Sequence, residues 1–220
     1  MADFSAFEHI SETIRAAFAA KNSARDTAIN RSRELIRLCS ECIRAIHRQE
    51  WTAAETRLTA LRTAADELRA GVTEYPDLLY SGYTQDALKE VVEAFATYAV
   101  IRQQPLPPPA ELGIEGAAYI NGMAEAATEL RRFILDILRR EDAHSAEAER
   151  LLDWMDTIYD SLVTFDFPDA ITGDLRRRTD AVRGVLERTR GDLTHSLRQQ
   201  KLQDALARFE ARVLQDHDGG

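Results

Sequence analysis

Tyr119-Ile-Asn-Gly-Met-Ala-Glu-Ala-Ala-Thr-Glu-Leu-Arg-Arg132 repeats apolar residues at three- and four-residue spacing, the period of an amphipathic helix. The apolar side runs on through Ile120, Met123, Ala127, Leu130, Ile134 and Ile137. Glu125, Glu129, Arg132 and Asp136 line the reverse. Glu125 and Glu129 stand four residues apart, so their carboxylates share one helical face. By periodicity alone that face belongs to solvent, and the two acids matter only if a second acidic pair meets them.

Working outward, the same period recurs along nearly the whole chain, and an all-α fold is expected. Ten glycines and six prolines among 220 residues leave long uninterrupted stretches rich in Ala, Leu, Arg and Glu, which are good helix formers. A chain of this length can bury a sizeable core as one domain, expected over residues 1–215, with 216–220 a disordered tail. The net charge of −9 argues against a protein that coats itself in nucleic acid, but leaves room for a local basic stripe. No cleavable leader and no 18-residue apolar run appear, so a cytoplasmic protein without membrane contact is expected. Cys39 and Cys42 sit within a helical pattern, lacking the strand-to-helix turn of a redox motif, and are expected to be small buried residues.

Taken in order, Phe7, Ile10, Ile14 and Phe18 define a first helix that Asn22-Ser23 is expected to stop and recap. A second helix, from Ala24 to Gln49, carries Leu35, Leu38, Cys39, Cys42, Ile43 and Ile46 on one side. On its other side Arg33, Arg37, Arg44 and Arg48 fall within about 60° of one another, with His47 at the margin. That stripe is either a solvated face paired with Glu34 and Glu41 or a track for phosphates, which the planar guanidinium fork suits. A third helix is expected over 52–69. Tyr75, Tyr80 and Tyr83 in the following connector either stack on bases or cover the core. Thr84 is placed to cap a fourth helix reaching Gln104, in which Glu90 and Glu93 lie opposite the apolar stripe. The stretch from Ala94 to Ile101 is apolar on every side, so Glu93 stands where surface gives way to interior. Pro105 to Pro109 breaks the pattern before the opening helix. A further helix over 146–165 and one long helix from about 173 to 215, running through Gly184 and Gly191, complete the chain.

Several chemistries are excluded. There is no G-x-S-x-G, no phosphate-cradling glycine loop and only one Glu-x-x-His, Glu141 to His144, in a polar connection. What remains is a set of four carboxylates, Glu90 with Glu93 and Glu125 with Glu129. Oxygen-only ligands favour Mg²⁺, or Mn²⁺, and such an ion assists hydrolysis of a phosphodiester.

Three stretches carry a resemblance to the translin superfamily, in particular to its translin-associated factor X (TRAX) branch with the archaeal members. They are Ala24-Arg-Asp26 with Ser32 to Arg37 and Ala45-Ile-His-Arg48; Lys89-Glu-Val-Val-Glu-Ala94; and Tyr119 to Arg131, which is similar to the signature Y-L-x-G-x-x-D-L-T-G-E-L-x-R. The resemblance implies a seven-helix elongated bundle that assembles into a hollow hexamer or octamer, with a translin-like paralogue as a further partner. It implies single-stranded RNA or DNA binding and, for the catalytic branch, a Mg²⁺-dependent endoribonuclease acting on single-stranded RNA. Glu90, Glu93, Glu125 and Glu129 would be the metal ligands and catalytic residues. Arg33, Arg37, Arg44, His47, Arg48 and Arg132 would contact nucleic acid. The chain departs from the signature at Glu125, where aspartate is usual, and at Thr128, where glycine is usual. The alternative class is a non-catalytic single-strand-binding oligomer.

Overall fold

The computed structural model describes residues 4–140 and 146–218, and Glu141 and His144 lie outside them. All regular structure among the described residues is helical. Six helices are long: α1 Ser5–His47, α2 Trp51–Ala70, α4 Gly82–Ile101, α6 Gly116–Arg140, α7 Ala146–Leu162 and α9 Leu175–Asp218. Three are single turns, α3 Pro76–Leu79, α5 Pro109–Leu112 and α8 Asp169–Thr172. No helix of the described residues is long and apolar enough to cross a membrane.

The chain divides into two compact units, one made of residues up to Phe95 with Pro107–Gly122, the other of Ala96–Leu106 with Met123 onward. In the first, α1 and α2 pack as an antiparallel pair. The reversal needs only Arg48, Gln49 and Glu50, with Gln49 at φ 59° and its N–H donating to the Ile46 carbonyl. Leu35, Cys39, Ile46, Leu61 and Leu68 are fully buried, and each large aliphatic among them contributes about 1.5–3 kcal/mol.

The expected break at Asn22-Ser23 is absent, because α1 runs through it. Asn22 and Ser23 cap helices when no better partner exists, but here the Asn22 amide donates to Asp26 at 3.2 Å and Thr27 donates to the Ser23 carbonyl at 2.9 Å. Those bonds one turn onward satisfy the polar side chains inside the helix. Thr84 is likewise not a cap: α4 starts two residues earlier, and the buried Thr84 hydroxyl donates to Leu78 O at 2.8 Å.

In the second unit α7 packs on α9. Leu151, Met155, Ile158 and Leu162 on α7 and Leu175, Val182, Leu186 and Leu193 on α9 are the buried positions. Arg190 pairs with Asp156 across this contact. Arg131 on α6 reaches Asp192 at 2.8 Å and Thr189 at 2.9 Å, fastening that helix to α9. α7 stops at Leu162, three residues short of the expected Phe165, where Thr164 turns its hydroxyl onto the Ser161 carbonyl at 2.7 Å.

Candidate nucleic-acid and metal site

Glu90 and Glu93 stand on α4 in the first unit. Periodicity puts both opposite the apolar stripe, yet Glu93 is only 8% exposed, and the side chain of Glu90 is about a quarter exposed beside Lys89 Nζ at 3.4 Å. Both acids act on Cys39 of α1: burial first, then the negative charges around it, including Glu90 and Glu93, push that thiol well above its usual range. Cys42 is pushed up to about 12 by burial, and its sulfur donates to the Ala54 carbonyl. Both cysteines are buried, and burial keeps them protonated packing residues.

Gly122 explains how α6 approaches this pair. A Cβ there would lie 2.6 Å from the Lys89 carbonyl oxygen and 2.6 Å from Val92 Cβ. Helix backbone thus touches helix backbone, and only glycine fits. Glu125 and Glu129 follow at i+3 and i+7 from Gly122, on the same face of α6. That face is occupied at Gly122, so it is not the solvent face that periodicity suggests. Accordingly the side chains of Glu125 and Glu129 are only 24% and 21% exposed.

Within the second unit Glu125 is ion-paired with Arg178 of α9. The two arginines Arg177 and Arg178, with Glu125, Thr128, Ala124, Ala181 and Val182, line a pocket of about 220 Å³. Arg177 is exposed and binds Asp174, whose carboxyl it lowers from the ordinary range. Sequence reasoning missed Arg178. A signal was present, since Arg176-Arg177-Arg178 opens a helix, the end where the macrodipole disfavours cations.

The arginine stripe divides. Arg37 is held between Glu34 and Glu41, and the hydrogen bond it donates to Glu34 raises its affinity for its proton. Arg44 donates to Ser40 Oγ at 3.3 Å, while Arg33 and Arg48 are exposed. His47 is 4% exposed, on the packed side of α1 rather than the margin of the stripe. Arg132 is exposed, with Glu129 4.0 Å away.

A comparison with protein-family models finds no match. An uncharacterized protein of Methanocaldococcus jannaschii is 31% identical over 198 residues, which cover 89% of this chain and 86% of that one. Among solved structures, the AfC3PO–duplex RNA complex matches with a TM-score of 0.77 at 30% identity, covering 84% of this chain and 95% of that one. A crystal structure of AfC3PO matches at 0.76 with the same identity and coverage. Apo-NeC3PO matches at 0.75 and 19% identity, covering 84% and 96%, a likeness of fold alone.

Proposed function

Because this chain belongs to the translin family, as a relative of AfC3PO, we propose that it is an RNA-binding protein and a Mg²⁺-dependent endoribonuclease of the TRAX-like type. RNA binding rests on the solved complex of AfC3PO with duplex RNA. The substrate proposed for cleavage is single-stranded RNA, held through Arg33, Arg44 and Arg48 with Arg132 near the acids.

The observation that carries the catalytic reading is the acid set. Glu90 and Glu93 share one face of α4, and Glu125 and Glu129 stand one turn apart on α6, all four with side chains at least partly withdrawn from solvent. The donor chemistry fits: every ligand atom is a hard carboxylate oxygen, without thiolate or imidazole, the set that Mg²⁺ and Mn²⁺ prefer. Such an ion, when bound, supplies Lewis-acid stabilisation of the scissile phosphate and acidity for the attacking water. The chain's own residues orient it. Gly122 sets the approach of α6, and Arg178 holds one side of Glu125 so that its carboxylate keeps one rotamer. The substitution of glutamate for the usual aspartate adds a methylene to that arm, which Arg178 restrains.

In the test, labelled single-stranded and duplex RNA are each incubated with Mg²⁺, Mn²⁺ or EDTA. Single-stranded RNA is expected to be cut only with metal, and Glu90→Gln with Glu93→Gln, or Glu125→Gln with Glu129→Gln, is expected to end cleavage while RNA is still retained. Cleavage that survives both double substitutions would sink the metal assignment. One observation favours the alternative of a binder without cleavage: the Glu125 carboxylate already has a cation in Arg178. That reading predicts RNA retention, weakened by salt, with no products under any metal.

Assembly into a homo-oligomer belongs to the same proposal. Phe7, Ile10, Ile14 and Phe18 on α1 stand exposed in one row, as do Leu202, Leu206, Phe209 and Val213 on α9. Rows of this kind on surface helices mark contacts with another chain.

A further inference from the structure

One pocket in the first unit is not used by anything above. It has a volume of about 370 Å³ and is lined by Ile29, Ser32, Arg33 and Ile36 of α1 and by Tyr83 and Asp86 of α4. The four α1 residues are spaced i, i+3, i+4, i+7 and the α4 pair i, i+3, so each helix presents one face to it.

Its polar groups are the unusual part. Ser32 is 2% exposed, and both its hydroxyl and that of Tyr83 are buried without a hydrogen-bond partner among the described residues. A buried hydroxyl left in that state costs about 1–3 kcal/mol, so two around one pocket point to a ligand with a polar edge. Arg33 at the rim is exposed and is paired with no acid among the described residues. Ile29, Ile36 and the Tyr83 ring supply apolar walls.

We propose that this pocket is a subsite for a single unstacked nucleobase of a bound RNA strand, with the phosphate of that nucleotide on Arg33. The assignment rests on the RNA-binding reading above and deepens it. The volume lies at the small end of ligand pockets, suiting one nucleoside. A flat aromatic base gains from contact with Tyr83 and the two isoleucines, a contact available to every base through its π-face. The hydroxyls of Ser32 and Tyr83 can each donate or accept, and so meet either kind of edge atom. The Asp86 carboxylate only accepts, so it pairs with a donor on the base edge, and it favours an exocyclic amino group, with two protons to give, over uracil, whose one edge donor is N3–H. Arg33 gives the phosphate its planar pair of donors.

The test measures binding of the full chain to fluorescently labelled oligoadenosine and oligouridine by anisotropy at one salt concentration, with EDTA present to prevent cleavage. Wild type is expected to favour oligoadenosine. Tyr83→Leu should weaken oligoadenosine binding roughly tenfold, the worth of one stacked base. Asp86→Asn should narrow the gap between the two RNAs, and Tyr83→Phe, which keeps the ring and guards against misfolding, should lose less than Tyr83→Leu. Variants whose circular dichroism and oligoadenosine affinity both match wild type would overturn the subsite while RNA binding by wild type stands. Substitutions that change only the oligomeric mass would also overturn it, assigning the pocket to a second copy of the chain. Failure of wild type to bind either RNA would instead remove the reading on which the subsite rests.

Discussion

Gly122 concentrates at one residue what the quoted stretch can and cannot reveal. It was visible as a glycine in a helix, a position where alanine would ordinarily add up to about 1 kcal/mol. Its neighbours reverse the sign. With a Cβ meeting Lys89 O and Val92 Cβ at 2.6 Å, Gly122→Ala is expected to lower stability by about 1–3 kcal/mol, measured as a reduced urea midpoint. A midpoint equal to or above wild type would show that α6 does not approach α4 so closely. Arg178 offers a second residue-scale test, because its guanidinium lies against a carboxylate that is three-quarters buried. Arg178→Met is expected to cost about 1–2 kcal/mol, a value below that of a fully buried pair because both side chains keep some contact with water. Should Glu125 also be a metal ligand, Mg²⁺ will raise the melting temperature more in this variant than in wild type. An equal or smaller shift argues that Glu125 serves structure alone.

At the scale of elements, periodicity located each long helix to within a few residues, including the burial of residues 94–101 that an all-round apolar helix requires. The one merger came at Asn22-Ser23, where a cap signal competed with i,i+4 side-chain bonds and lost. α9 shows the complementary case, since Gly184 and Gly191 fail to break it. A Cβ at Gly191 meets nothing within 4 Å, and at Gly184 it meets only the Arg188 guanidinium at ordinary contact distance. These glycines have no packing reason. Gly184→Ala with Gly191→Ala is therefore expected to stabilise α9 by about 0.5–1 kcal/mol per site, seen as a higher melting temperature. A decrease would reveal a contact made at those positions in the assembled protein.

For the whole molecule, the exposed rows on α1 and α9 decide whether the chain works alone. Phe7 and Phe18 are among the most exposed large apolar residues, an arrangement that costs solubility unless another chain covers it. Phe7→Glu with Ile14→Glu is expected to reduce the mass measured by light scattering to that of a smaller assembly. An unchanged mass would assign the oligomer contact elsewhere.

The amino-acid order by itself determined the helical class, the extents of most helices, the inertness of Cys39 and Cys42, and the four acids and arginine stripe as angular positions on their own helices. It could do so because helix period is local. What packs against each face was decided only by tertiary structure. Glu93 and His47 became buried, Arg37 was taken up by acids, Glu125 acquired a partner 53 residues away, and Ser32 and Tyr83 came to line one pocket. Angular position on a helix is a property of spacing, whereas burial and pairing depend on which other helix crosses there, and that crossing is set by features such as the missing Cβ of Gly122.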